Sequence, residues 1–276
     1  MSAPKPDAAS VETGIPEVAI TTLGEFIDHV TPDEPNPAIG RRRDTGVYRG
    51  ASDAKSPLLT SLDRLGERPH AKADLEEHVL RNYIRYSRPY MGERPENEWE
   101  ELISAQHHGV PTRLLDWTYS PLVAAFFATR PLDGPERDRA VWRLDWQEVH
   151  RAFHFPPIAL LIRDLDGLFA DGGHASPWQL FAREATSRPF ACLVEPPSLD
   201  ARIVAQAAAF TLCSDKSHSF DEFLRSHGLA SALVKFVIPS RCVPAFRDQL
   251  DLVGVDERRL FPDLDGVAAA IRRYYA

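Results

Sequence analysis

Seven consecutive residues, Leu122-Val123-Ala124-Ala125-Phe126-Phe127-Ala128, carry no polar side chain. A helix that is apolar on every side has to be buried, so this stretch must lie inside the fold. Ser120 is placed to cap it, and Pro121 stands at its first position, where a missing N–H is harmless. Upstream, Trp99, Leu102, Ile103 and Gln106 repeat at i, i+3, i+4 and i+7, the spacing of one helical face. Gly109 and Pro111 stop that helix. Between the two helices sits a polar cluster of Gln106, His107, His108, Thr112, Arg113, Asp116 and Thr118. The expected arrangement is helix, polar loop, buried helix.

Two readings fit such a loop. Titratable groups held between two packed helices are where chemistry can live. The same groups can instead cap helices and satisfy backbone atoms, with Asp116 bridging Arg113 and the histidines packing at the core edge.

Elsewhere the signals are local. Residues 1–17 are rich in Ala, Pro, Ser and Asp and read as a disordered tail. Thr22 and Glu25 form a capping box for a short helix through Val30, and residues 31–45 read as a surface linker containing Arg41-Arg42-Arg43. Val47-Tyr48-Arg49-Gly50 reads as a strand ending at a glycine. Leu75, Val79, Tyr83 and Tyr86 mark one face of a helix over about 72–88. Residues 140–146 alternate as a strand, with Asp145 and Glu148 boxing a following helix. Ser176-Pro177 opens a helix through Ala185. Residues 190–194 and 233–238 read as strands, Ser219 and Glu222 box a helix ending near Gly228, and helices are expected over about 241–253 and 263–274. Strands and helices interleave irregularly, which favours a single mixed α+β domain over a doubly wound sheet.

A formal net charge of -8 argues against general nucleic-acid binding, which needs a basic face. No apolar run approaches membrane length, so no membrane partner is expected. Cys192, Cys213 and Cys242 are far apart and lack metal-ligand spacing, which suits a cytoplasmic location. A metal-dependent nuclease or hydrolase built on His107, His108 and Asp116 is disfavoured, because adjacent histidines rarely share one ion; no metal is expected.

Several segments together resemble the FRG domain family. They are the aromatic-Arg-Gly motif Tyr48-Arg49-Gly50, the loop Gln106-His107-His108-Gly109-Val110-Pro111-Thr112-Arg113-Leu114-Leu115-Asp116-Trp117-Thr118, the later Arg202, Gln206, Phe210 and Thr211, and Leu260 to Gly266. The resemblance spans about residues 46–270. Ala207 and Ala208 stand where the family usually has a glycine. Tyr48-Arg49-Gly50 is also similar to the first-strand motif of ADP-ribosyltransferases of the Arg-Ser-Glu type, in which the arginine holds NAD. That likeness implies a split sheet with surrounding helices. The Ser-Thr-Ser strand and Glu-x-Glu turn of those enzymes have no clear counterpart here, and Gln206 stands where a glutamate is wanted.

The resemblance implies an NAD-consuming enzyme, an ADP-ribosyltransferase or NAD glycohydrolase, acting as a toxin or antiphage effector on an unknown macromolecular acceptor. Arg49, His107, Asp116 and Gln206 are the implied catalytic residues. Tyr48, Arg49, Gly50, His108, Thr112, Trp117 and Arg202 are the implied cofactor-binding ones. Of the carboxylates Asp116, Glu184 and Glu195, Asp116 is favoured because its loop is the dense polar cluster. The alternative is a non-catalytic nucleotide- or protein-binding module using the same residues.

Overall fold

The computed structural model describes residues 14–37, 39–65, 72–91, 95–130, 136–169, 176–177, 189–215 and 217–275. Among them, eight strands form one mixed sheet. They are β1 (Glu17–Ala19), β2 (Val47–Ala51), β3 (Leu115–Thr118), β4 (Arg139–Leu144), β5 (Leu160–Leu161), β6 (Ala191–Glu195), β7 (Ala208–Cys213) and β8 (Leu233–Ile238). Their order is β1-β8-β4-β2-β3-β7-β6-β5, with parallel pairing at the two edges, β1–β8 and β5–β6, and antiparallel pairing between. The chain is thus a single α+β domain. The first strand draws Glu17, read from sequence as the end of the tail, into the sheet, where it stands opposite Lys235. The rest of the expected tail, residues 1–13, and most of the helix expected after Ser176-Pro177 lie outside the described residues.

The helices follow their local signals. Thr22 caps α1 (Leu23–Val30), its hydroxyl accepting from the Glu25 N–H at 3.1 Å. The Glu25 carboxylate reaches back to the Thr21 N–H, one residue earlier than a capping box requires. The face expected over 72–88 becomes α2 (Lys72–Ser87), and α3 (Glu98–His107) is capped by Asn97. Gly109, at φ +80°, ends α3. Ser120 caps α4 (Pro121–Ala128), accepting from the Val123 N–H at 3.3 Å. Then come α5 (Trp146–Ala152), α6 (Ile162–Phe169), α7 (Ala201–Ala205), α8 (Phe220–Ser226), α9 (Val243–Leu252), α10 (Glu257–Leu260) and α11 (Leu264–Tyr275).

One expectation fails within the central stretch. The polar loop is not a loop throughout: Leu115–Thr118 is β3, in the middle of the sheet. Four alternating residues are too short a pattern to announce a strand, and its partner β7 lies about ninety residues away.

Register explains where the site forms. Side chains alternate across a sheet, so paired residues share a face. Val47, Leu115, Trp117, Trp142 and Leu144 face one side and pack under α5 and α8 in a single core. Tyr48 pairs with Thr118, and Asp116 pairs with Phe210, so these four share the opposite face. That face carries two separate cores. One, with Tyr48, Val141 and Phe236, lies under α1, α4 and α9; the other, with Phe210, Leu212 and Val194, lies under α2 and α3. The boundary between the two cores falls between β2 and β3.

His150 ties α5 to the sheet and is fully buried. Its Nδ1 lies 2.8 Å from the Pro156 carbonyl, and its Nε2 accepts from the Leu193 N–H at 2.8 Å. That pair of contacts requires the neutral ring with the proton on Nδ1. Burial holds the imidazole below its ordinary value. The unfolded chain therefore binds more protons just below the ordinary histidine range of about 6.5. Stability should be at its plateau above that value and fall as pH drops through the depressed folded value. Thermal melts at pH 7.5 and 5.0 should show the lower midpoint at acid pH. The difference should shrink in His150→Gln, which keeps a donor and an acceptor without titrating.

Candidate active site

Between β2 and β3 the described ladder holds one pair, Tyr48 with Thr118. Beyond it the strands part, although β2 stays zipped to β4 through Ala51 and β3 stays zipped to β7 through Leu115. A cavity of about 560 Å³ opens at this divide, a size typical of ligand pockets, which run to roughly 300–1,000 Å³. Parted strands leave carbonyls without ladder partners, which need other donors. Arg49 supplies one: its Nη1 donates to the Asp116 carbonyl oxygen at 2.7 Å and lies 3.4 Å from the Asp116 carboxylate.

Asp116 is the centre of the site. Its side chain is 54% exposed while the Arg49 side chain is 14% exposed, so the carboxylate stands at the mouth and the guanidinium behind it. The other carboxylate oxygen accepts from the Gln106 amide at 2.7 Å. Gln106 is itself held by the Thr112 hydroxyl, which donates to its amide oxygen at 2.6 Å. Thr112 is buried, and its N–H donates to the Ser61 hydroxyl at 3.0 Å. The polar loop thus fixes one exposed carboxylate through two layers of hydrogen bonds. The alternative bridge from Asp116 to Arg113 does not form. Arg113 pairs with the buried Glu76, whose carboxylate accepts from the Arg113 backbone N–H at 2.8 Å and from its guanidinium.

His107 comes from the last residue of α3. Its Nε2 lies 2.6 Å from the Asp200 carboxylate. Asp200 also caps α7, accepting from the N–H groups of Arg202 and Ile203 at 2.7 and 3.0 Å. Burial lowers the His107 imidazole below its ordinary value and outweighs the pull of Asp200 in the other direction. The ring is therefore neutral near pH 7, with Nε2–H donated to Asp200 and Nδ1 left as an acceptor. Asp200 was not among the residues singled out from sequence. An aspartate ahead of a short apolar helix reads only as a cap, and its second role depends on a helix more than ninety residues earlier.

Arg49, His107, Asp116, Arg202 and Gln206 all line the cavity. Gln206 is partly committed elsewhere: its side-chain amide donates to the Leu260 carbonyl at 3.0 Å, and its backbone carbonyl accepts from the Thr118 hydroxyl at 2.7 Å. Tyr48, Gly50 and Trp117 line it too, while His108 and Thr112 are not among its lining residues. Tyr48 is 1% exposed, donates to Asp44 and packs edge-on to Phe26. Trp117 is 3% exposed, donates to the Thr211 hydroxyl at 3.0 Å and packs on Phe220. Both side chains sit almost wholly in the core, where the pleat turns them, and border the cavity from there. His108 is exposed and lies beside Tyr83, a helical step away from His107. Thr112 supports Gln106 from beneath. Glu195 accepts from the Tyr119 hydroxyl at 2.7 Å and is not among the cavity residues, and Glu184 lies outside the described residues.

Gly50 has a packing role. A Cβ there would lie 2.2 Å from the Ala124 carbonyl oxygen and 2.4 Å from the Ala128 nitrogen. Helix α4 therefore crosses β2 backbone to backbone, which places Phe127 on the cavity wall.

Ala207 adopts φ +46°, the left-handed region that favours glycine. It stands where the FRG resemblance leads one to expect glycine, at the turn from α7 into β7. An L-residue in that conformation costs about 1–2 kcal/mol, and glycine's extra freedom in the unfolded chain returns about 0.4–1 of that. Ala207→Gly should therefore raise Tm by roughly 1–3 °C with the cavity unchanged, measured by thermal melting.

Among the described residues no three His, Cys, Asp or Glu side chains converge to hold a metal ion, and no helix is long and apolar enough to cross a membrane. The family model of the FRG domain matches residues 44–136, a third of the chain. The match takes in Tyr48-Arg49-Gly50 and the Gln106–Thr118 segment; Arg202 to Thr211 and Leu260 to Gly266 lie beyond it. Comparisons with curated proteins and with solved structures gave no match.

Proposed function

We propose that the cavity between β2 and β3 binds NAD and cleaves its nicotinamide–ribose bond, passing the ADP-ribosyl group to water or to a macromolecular acceptor. The observation that carries this reading is the shared cavity itself. Two carboxylates, Asp116 held by Gln106 and Asp53 paired with Arg137, one neutral imidazole and four arginines, Arg49, Arg64, Arg130 and Arg202, line it in a chain whose net charge is -8. A local excess of guanidinium groups favours an anionic ligand. A carboxylate at the mouth favours a reaction that develops positive charge.

In this scheme the C1′–N bond breaks, and nicotinamide departs with the bonding pair. Positive charge builds on C1′ and the ribose ring oxygen, where Asp116 stabilises it. Arg49 and Gln106 keep that carboxylate aimed. Water or an acceptor nucleophile then forms the new bond to C1′, and its proton passes to Nδ1 of His107. Asp200 holds the ring in the tautomer that can take it. Action as a toxin or antiphage effector is the biological setting we propose for such an activity.

The test is to incubate the purified protein with NAD, with and without cell lysate, and to measure free nicotinamide and label transferred from adenine-labelled NAD. Nicotinamide release is the expected result; label on lysate macromolecules would indicate transfer, and ADP-ribose alone would indicate hydrolysis. Binding of NAD without release would leave a non-catalytic nucleotide-binding module. Neither binding nor release would overturn the reading.

A further inference from the structure

Phe261, at the end of α10, has two guanidinium groups against its ring. The Arg130 Cζ lies 4.8 Å from the ring centroid and the Arg202 Cζ lies 4.5 Å from it. The two cations are therefore held within twice that distance of each other. Both line the cavity described above. No salt bridge to either is present among the described residues, whereas Arg49 has Asp116, Arg113 has Glu76, Arg143 has Asp44 and Arg247 has Glu257. The Arg202 Nε is buried and has no hydrogen-bond partner.

This arrangement is unfavourable as it stands. Two like charges on one ring repel, and a buried guanidinium N–H without an acceptor loses its water with nothing in return. Stacking on the phenyl face explains why the side chains stay in position, since a cation over a ring is attracted to its negative face. It leaves the in-plane N–H edges of each guanidinium able to donate. An anion with several oxygens, reached from the cavity, would relieve both problems together.

We infer that Arg130 and Arg202, stacked on Phe261, form the seat for the pyrophosphate of the ligand. Arg49, the arginine of the Tyr-Arg-Gly motif, is instead occupied in holding Asp116 across the parted strands. The seat names which groups bind the phosphates of the proposed dinucleotide and rests on that reading for the identity of the ligand. Two guanidinium groups together carry several N–H donors, which suits a diphosphate better than a single carboxylate. Phe261 belongs to the core under α4, so the seat is anchored to the packed body of the domain.

The seat is tested with inorganic pyrophosphate, separately from NAD chemistry. Binding is measured by titration calorimetry for the wild type, Arg130→Gln, Arg202→Gln, Arg202→Lys and, as a control outside the cavity, Arg137→Gln. Arg130 is exposed, so its variant should fold normally; thermal melts check each protein. The expected result is saturable binding to the wild type and to Arg137→Gln, with Kd raised tenfold or more by Arg130→Gln and by Arg202→Gln. Arg202→Lys, which keeps the charge without the fork, should recover only part of the loss. Absence of pyrophosphate binding, or equal binding by all variants, would overturn the seat. Pyrophosphate bound through these arginines with no nicotinamide released from NAD would support the seat and sink the enzyme reading. Release with unaltered KM for NAD in both glutamine variants would do the reverse.

Discussion

Gly50→Ala is expected to destabilise the domain by about 3 kcal/mol or more, a large share of the roughly 5–15 kcal/mol that holds a typical domain together. The added Cβ would meet backbone atoms of α4, the Ala124 carbonyl oxygen at 2.2 Å and the Ala128 nitrogen at 2.4 Å. Backbone cannot rotate away as a side chain can. To admit the methyl group, α4 must lift from β2, and Phe126, fully buried beneath it, would lose contacts. The lift would also move Phe127 off the cavity wall. The melting temperature should therefore fall by roughly 6–12 °C or more, with any NAD turnover falling alongside. An alanine variant that melts like the wild type would show that α4 and β2 are not held at this separation.

Asp116→Asn is expected to cut nicotinamide release by about 10²–10³-fold, the scale of losing one well-placed group that stabilises transition-state charge. Melting should barely change. The carboxylate is 54% exposed, and the hydrogen bond that Gln106 makes to its Oδ1 at 2.7 Å can be kept by an asparagine oxygen. The Arg49 contact to the Asp116 carbonyl belongs to the backbone and survives. Asparagine thus removes the charge and the 3.4 Å contact of the carboxylate with Arg49, and leaves the two shorter hydrogen bonds in place. Arg49→Ala makes a poorer probe, because it strips a donor from a carbonyl in the parted strands and so confounds folding with catalysis. Unchanged turnover in Asp116→Asn, in a protein that does release nicotinamide, would remove the carboxylate from the chemistry.

Much of the site was visible before folding. Gln106, His107 and Asp116 stand out as a dense polar cluster and Arg49 as an arginine on a strand beside a glycine, and all four line one cavity. Tyr48 and Trp117 border the cavity too, but as almost wholly buried side chains. Their orientation depends on strand register, and for Trp117 the strand itself was hidden. Asp200 and the pairing of Arg130 with Arg202 had no local sign, since each joins segments far apart in the chain.

The sequence by itself determined the local elements. Caps such as Thr22, Ser120 and Asp145, the stop at Gly109 and the all-apolar α4 act within a few residues, through i to i+3 hydrogen bonds and helical spacing. Only the tertiary structure decided the opening between β2 and β3 and what surrounds it. It arises because two helical layers pack on one face of the sheet and part at that seam, with α4 pressed onto Gly50 on one side and α3 packed beside Phe210 on the other. Such packing is settled by contacts between segments up to more than two hundred residues apart, which no short pattern encodes.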